Sequence, residues 1–165
     1  MEEKPEHMTH LNGDVLVPKT HPRIRFRGKL DTLEAELILC QQASEKLVKP
    51  VGEILALARQ VIRCEVLEEK LQWDTLCGLT EQEQRKRSHF PQDYYGQPHF
   101  MPDASDGMVM ARLNRARCAA REAELAAVTA FSDREGNPTR MDILQAMNRM
   151  SSMLYILMIQ EKSGK

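Results

Sequence analysis

"GKLDTLEAELILCQQASEKL", residues 28–47, carries Leu30, Leu33, Leu37, Cys40 and Leu47 at spacings near three, four and seven. Apolar residues with that recurrence share one face of a helix, so the stretch predicts a first helix from about 28 to 47. Downstream, Lys49-Pro50 breaks the pattern, and a second helix is predicted over 51–73, with Val51, Ile54, Leu55, Ala58, Val61 and Ile62 on one face and Pro50 suited to its first turn. Cys77-Gly78-Leu79 reads as a turn. Thr80 to Glu83 resembles a capping box that opens a short helix through about 88. "HFPQDYYGQPHFMPD", 89–103, holds three prolines and a glycine and reads as a long loop of the kind that belongs to sites. Ser105 or Asp106 is expected to cap a long third helix ending at Phe131, with Val109, Leu113, Ala116, Ala120, Ala123, Ala127 and Phe131 inward. "SDREGNP", 132–138, is a turn, and a last helix is predicted over 140–160, with Ile143, Met147, Met150, Leu154 and Leu157 inward.

Aromatic residues make up only 5 % of the chain, methionine is high at ten, and no segment alternates apolar and polar residues for long. The expected fold is therefore all-α: a five-helix bundle of four long helices and a short one. The 165 residues suit a single domain over 1–165, with 1–17 extended or mobile and the tail 161–165 frayed. A 42 % apolar content excludes disorder as the default, and a net charge of −1 excludes a general nucleic-acid binder. "MEEKPEHMTH" has no apolar core of a signal peptide, and no run approaches a membrane span, so the reading is cytoplasmic. Cys40, Cys64, Cys77 and Cys118 form no C-x-x-C pair and read as buried free thiols. No histidine follows a glutamate by three, which argues against a di-iron carboxylate site, and His7 with His10 reads as incidental. The glycine-rich phosphate-loop motifs are missing, and nothing supports a partnered nucleophile.

Upstream of the first helix, "PKTHPRIRFRGKLD", 18–31, packs five Lys/Arg into fourteen positions. Arg23, Arg25 and Arg27 alternate with Ile24 and Phe26, which places them on one side of an extended segment. They form a solvated edge, a surface for an acidic partner, or, with Lys19, a clamp for a polyphosphate. Arg117, Arg121 and Glu124 fall at i, i+4 and i+7 on one helix face, Asn148 and Arg149 sit mid-helix, and Asp31 opens the first helix. Periodicity alone makes these solvated faces. The functional alternative is an anion site, with Arg for phosphate oxygens, Asp to hold an Arg, and Asn for a neutral polar group.

Several of these segments carry a resemblance. "VPKTHPRIRFRGKLD", 17–31, with "MTHL", 8–11, is similar to the V-x-K-x-[DH]-P-R-x-x-x-x-G-x-[LV]-D element of the cobalamin adenosyltransferases of ethanolamine utilisation (the EutT type) and, more distantly, the PduO type. Lys19, Pro22, Arg23, Gly28 and Asp31 fall at its spacing. "HFMPDASDG", 99–107, resembles the EutT-type loop, "RCAAREAE", 117–124, its R-x-x-x-R-x-x-E helix, and "DILQAMNRMSSMLYILMI", 142–159, its D-I-L-Q-A-[LM]-N-R helix. The resemblance implies a five-helix bundle that forms homo-oligomers, a trimer ahead of a dimer, with ATP near the subunit interface. It implies transfer of the 5′-deoxyadenosyl group of ATP to the Co(I) of a reduced corrinoid, with ethanolamine ammonia-lyase as functional partner and residence beside an ethanolamine-utilisation microcompartment where one is present. Carried over by position, Asp31 and Arg121 are the catalytic pair. Lys19, Arg23, Arg117, Arg121, Glu124 and Asn148 bind ATP, which Mg²⁺ accompanies, and His99 and Phe100 meet the cobalamin. His99 stands where the PduO type has a Phe that displaces the lower cobalt ligand. The chain begins just after the cysteine-rich metal motif of EutT proteins, so neither iron nor zinc is expected in it. A nucleotide- or corrinoid-binding helical module without catalysis is the alternative, and a structural bundle that docks assembly proteins is a third reading.

Overall fold

The computed structural model describes residues 3–164. Four long helices pack as a bundle: α1 (Pro22–Ala43), α2 (Glu45–Val66), α5 (Gly107–Ala130) and α6 (Met141–Ser163). A short helix α3 (Glu81–His89) lies on α6, followed by the single turn α4 (Pro91–Tyr95). The expected four long helices and one short one are all present. Helix α1 packs against both α2 and α5, and α5 against α6. The core follows the predicted stripes: Leu30, Leu33, Leu37 and Cys40 on α1, Leu113, Ala116, Ala120 and Ala123 on α5, and Ile143, Met147, Met150 and Leu154 on α6 are all fully buried. The alanines of α5 let α1 and α6 approach it closely.

Three boundaries differ from expectation, each for a local reason. Helix α1 begins at Pro22, so the basic segment is helical rather than extended. Pro22 occupies the first turn, where its fixed φ suits a helix, and His21 caps it by accepting the Arg23 N–H at 3.1 Å. Phe26 then adds a turn to the apolar stripe and meets Phe131 edge to face, 5.5 Å between centroids. The chain breaks at Ser44, which is extended (φ −157°), rather than at Lys49-Pro50; Pro50 lies inside α2. Helix α2 stops at Val66 instead of 73, because Glu68 turns the chain with φ +56°.

Residues 1–17 were expected to be extended or mobile. Within the described residues they hold most of a hairpin, β1 (Met8–Asn12) paired antiparallel with β2 (Val15–Pro18). Asn12-Gly13 is the turn signal for it, and Gly13 adopts φ +48°. The predicted loop over 89–103 is helical through Tyr95 and ends that turn at Gly96, φ +65°. Ahead of α5, Asp103 caps a 3₁₀ turn, Ala104–Asp106; Asp106 holds the N-cap position of α5 as expected, but its side chain makes no cap hydrogen bond there. The Asp106 carboxylate instead pairs with Lys162, on an α6 that stays helical through Ser163, where fraying was expected. Met1, Glu2 and Lys165 lie outside the described residues. The Thr80–Glu83 capping box is present as predicted. At the start of α6, Asp142 accepts the Leu71 N–H at 2.9 Å and pairs with Arg140 at 3.0 Å. Burial opposes its charge, but these partners hold its carboxyl below the usual range.

Because α1 starts at Pro22, Arg23 and Arg27 fall one turn apart on the same face, and both reach Glu65, whose side chain is fully buried. Arg23 Nε bonds Glu65 Oε1, and Arg23 Nη2 donates to the Glu65 carbonyl at 2.9 Å. Arg27 Nε donates to Glu65 Oε2, and Arg27 Nη2 to the Leu11 carbonyl at 2.7 Å. Glu68 adds contacts to Arg23 (3.2 Å) and to the Asn12 amide (3.0 Å). One carboxylate thus fastens the start of α1, the end of α2 and the hairpin. Removing one member of such a cluster leaves the others desolvated and unpaired. Glu65→Ala is expected to destabilise the chain by about 3 kcal/mol in urea unfolding with an unchanged slope. A loss below about 1 kcal/mol, the value of an exposed pair, would contradict the clamp.

Candidate functional site

Helices α5 and α6 and the loop before α5 converge on a groove of about 310 Å³ lined by His99, Arg117, Arg121, Ser151, Ser152 and Tyr155 among others. Arg117 and Arg121 come from successive turns of α5, as their spacing predicts. Asn114 Oδ1 holds the Arg117 guanidinium at 3.2 and 3.0 Å. Arg121 is exposed and makes no hydrogen bond or ion pair among the described residues. A second groove, about 880 Å³, opens between Trp73, Glu81 and Gln145 and holds none of the predicted residues.

His99 is fixed by two contacts. Its Nδ1 lies 2.8 Å from Tyr155 Oη and its Nε2 3.1 Å from the His89 carbonyl. A carbonyl only accepts, so Nε2 carries a proton, and when that is the ring's single proton Nδ1 accepts from the tyrosine. The His99 and Tyr155 rings also stack, 5.7 Å between centroids, and Phe100 lies 6.4 Å from the same tyrosine. Burial pushes the Tyr155 hydroxyl above its ordinary pKa, which keeps it a donor. Lys162 sits over the Phe100 ring at 5.6 Å and pairs with Asp106, so the end of α6 fastens the loop.

Beside the groove, Asn148 Nδ2 donates to Glu124 Oε1 at 2.7 Å, joining two residues predicted to share the site. Lys19 is exposed at the end of β2, with its backbone N–H on the His7 carbonyl at 2.9 Å. Arg23 is tied to Glu65 and Glu68, and Arg25 is exposed on another side of α1. The chain does not join Asp31 to Arg121. Asp31 is exposed and has no ion pair among the described residues. Helices α1 and α5 are bridged instead by Lys29–Glu122 at 3.2 Å and Glu36–Arg115 at 3.3 Å. Arg121 is one position, about 100°, round the helix from Glu122, which turns it to the groove and away from α1. Sequence reasoning missed Ser151, Ser152 and Tyr155. Their signal was their spacing from Asn148, at i+3, i+4 and i+7 on α6.

Among the described residues no cluster of three or more His, Cys, Asp or Glu is placed to hold a metal ion. Burial pushes the Cys40 thiol up to about 11 and the Cys77 thiol up to about 12, so both are protonated at neutral pH. Neither is an activated nucleophile.

Residues 1–161 match the model of the cobalamin adenosyltransferase family. The chain belongs to that family. It is 36 % identical over 157 residues to the corrinoid adenosyltransferase EutT of Salmonella typhimurium, covering 94 % of this chain and 59 % of that protein. It is 35 % identical to the corrinoid adenosyltransferase EutT of Escherichia coli K12 over the same shares. The chain therefore spans about 59 % of the length of the curated relatives it matches. No solved structure matches it. In this chain, nitrogen NMR at a pH where the ring holds one proton is expected to show His99 as the Nε2–H tautomer. An Nδ1–H tautomer would contradict the contacts drawn above.

Proposed function

We propose that the chain transfers the 5′-deoxyadenosyl group of ATP to the cobalt of a reduced corrinoid. The observation that carries this reading is the convergence of Arg117 and Arg121 with His99 and Tyr155 on one groove, with the Asn148–Glu124 pair beside it, in a chain of this family. The Co(I) electron pair attacks C5′ and a cobalt–carbon bond forms. The C5′–O bond breaks and its electrons leave on triphosphate, while cobalt is formally oxidised by two electrons. The substrate is the nucleophile, which fits a chain whose Cys40 and Cys77 thiols are held protonated.

What remains for the protein is alignment and charge. Lys19, Arg117 and Arg121 face the departing phosphates, Glu124 and Asn148 hold the nucleoside, and Mg²⁺ accompanies the triphosphate. Arg23 shares the Glu65 anchor with Arg27, which holds the hairpin ahead of Lys19 by the Leu11 carbonyl. Asp31 fixes Arg121 across a subunit contact, since the chain does not bring them together itself. This makes a homo-oligomer, a trimer ahead of a dimer, part of the reading. The corrinoid lies against His99 and Phe100. Its product serves ethanolamine ammonia-lyase, in the cytoplasm and beside a microcompartment where one is present. No helix among the described residues is long and apolar enough to cross a membrane.

An anaerobic assay with ATP, Mg²⁺ and chemically reduced cobalamin tests the proposal. The wild type is expected to give the adenosylcobalamin spectrum, and Asp31→Ala and Arg121→Ala each to lower turnover about 100-fold with an unchanged helical far-UV signal. Binding of both substrates without turnover would point to a non-catalytic module. Near-normal rates in both variants would overturn the catalytic pair.

A further inference from the structure

Arg149 lies mid-way along α6 with only 7 % of its surface exposed. A buried guanidinium ordinarily has a carboxylate or a full set of acceptors, because desolvating it otherwise costs several kcal/mol. Arg149 has neither. Its Nη1 has no hydrogen-bond partner, and its Nη2 donates to Asn148 Oδ1. Burial lowers its pKa, with Arg85 acting the same way and Glu81 and Glu124 opposing. A methionine would fill this position without the desolvation cost. The charge therefore has a task other than packing.

The task is visible at the neighbouring side chain. The Asn148 carboxamide is held at both ends, its oxygen by Arg149 and its nitrogen by Glu124 at 2.7 Å. A guanidinium only donates and an ionised carboxylate only accepts, so one orientation of the amide satisfies both and the flipped one satisfies neither. The amide is polarised between a cation and an anion, which strengthens both bonds. The backbone at this point is also tied to the groove: Ser151 and Ser152 donate to the Asn148 carbonyl at 3.0 and 3.2 Å, and both line the groove. Arg149 does not line it.

We infer that Arg149 is a positioning residue whose guanidinium locks the Asn148 carboxamide in the orientation that holds Glu124, leaving Glu124 Oε2 and the second Nδ2 hydrogen of Asn148 to meet a nucleotide. The inference rests on the reading of Asn148 and Glu124 as nucleotide contacts. Its test has one readout that does not depend on ATP. In the full chain, labelled with ¹⁵N and free of nucleotide, Arg149→Met is expected to shift or broaden the Asn148 side-chain amide resonances while melting no lower than the wild type. ATP affinity, by calorimetry, is expected to fall about tenfold, the loss of one well-placed hydrogen bond. In an Asn148→Ala background the same change should weaken binding no further, since the two act through one contact. Arg149→Lys, which keeps a donor but loses the planar fork, should recover part of the affinity; it replaces Arg149→Met in every measurement if the latter does not fold. Unchanged amide resonances, or additive losses in the double variant, overturn the lock. A wild type that binds no ATP overturns the nucleotide reading, and the amide resonances then decide the lock alone.

Discussion

A carboxylate with no exposure to solvent holds the amino-terminal third of this molecule together. Glu65 receives Arg23 and Arg27 from one face of α1, and Arg27 reaches on to the Leu11 carbonyl in the hairpin. Such a cluster is worth less as net stability than as geometry, because desolvation offsets much of the attraction. Its consequence is positional. The hairpin that ends near Lys19 and the first turn of α1 share one anchor, and that anchor is set at the end of α2. Asp31 follows two turns along the same helix. Lys19, assigned to phosphate, and Asp31, assigned to Arg121, therefore stand on braced elements and not on a free arm.

That anchor also marks where reading the residues one by one reached its limit. The alternation of Arg with Ile24 and Phe26 suits a strand, but Pro22 and Phe26 together suit a helix better. The helix puts Arg23 and Arg27 on one side and Arg25 on another. Nothing local announces Glu65 as their partner, since it lies 42 positions from Arg23 and reads as one more charge at a helix end. The hairpin was announced by Asn12-Gly13, yet its short strands are half exposed and lack the alternation that a buried face imposes. The helical stripes, in contrast, were legible nearly residue for residue, because each faces a single continuous core. Of the site, the α5 pair Arg117 and Arg121 was legible from spacing. Tyr155 was not, because an aromatic at helical period inside an apolar run looks like core.

The groove is built from short-range fixings. Asn114 holds Arg117, Tyr155 and the His89 carbonyl hold His99, and Glu124 and Arg149 hold Asn148. Arg121 alone of these cations is left without a partner among the described residues, and so is Asp31 on the neighbouring helix. Two opposite charges, each exposed and each unpaired, are left available for the pairing proposed across a subunit contact. A reaction in which the metal of the substrate attacks carbon asks a protein for no nucleophile or base. It asks for rigid placement and for cations where phosphate charge develops, and the chemistry of these side chains matches that demand.

A crystal structure of the chain with ATP and Mg²⁺ tests this account most directly. The account predicts phosphate oxygens within hydrogen-bond distance of Lys19 and Arg117, with Arg121 of one subunit paired to Asp31 of its neighbour. Nucleotide bound elsewhere, in the groove beside Trp73 for example, or an assembled oligomer in which Asp31 still faces water, would contradict it.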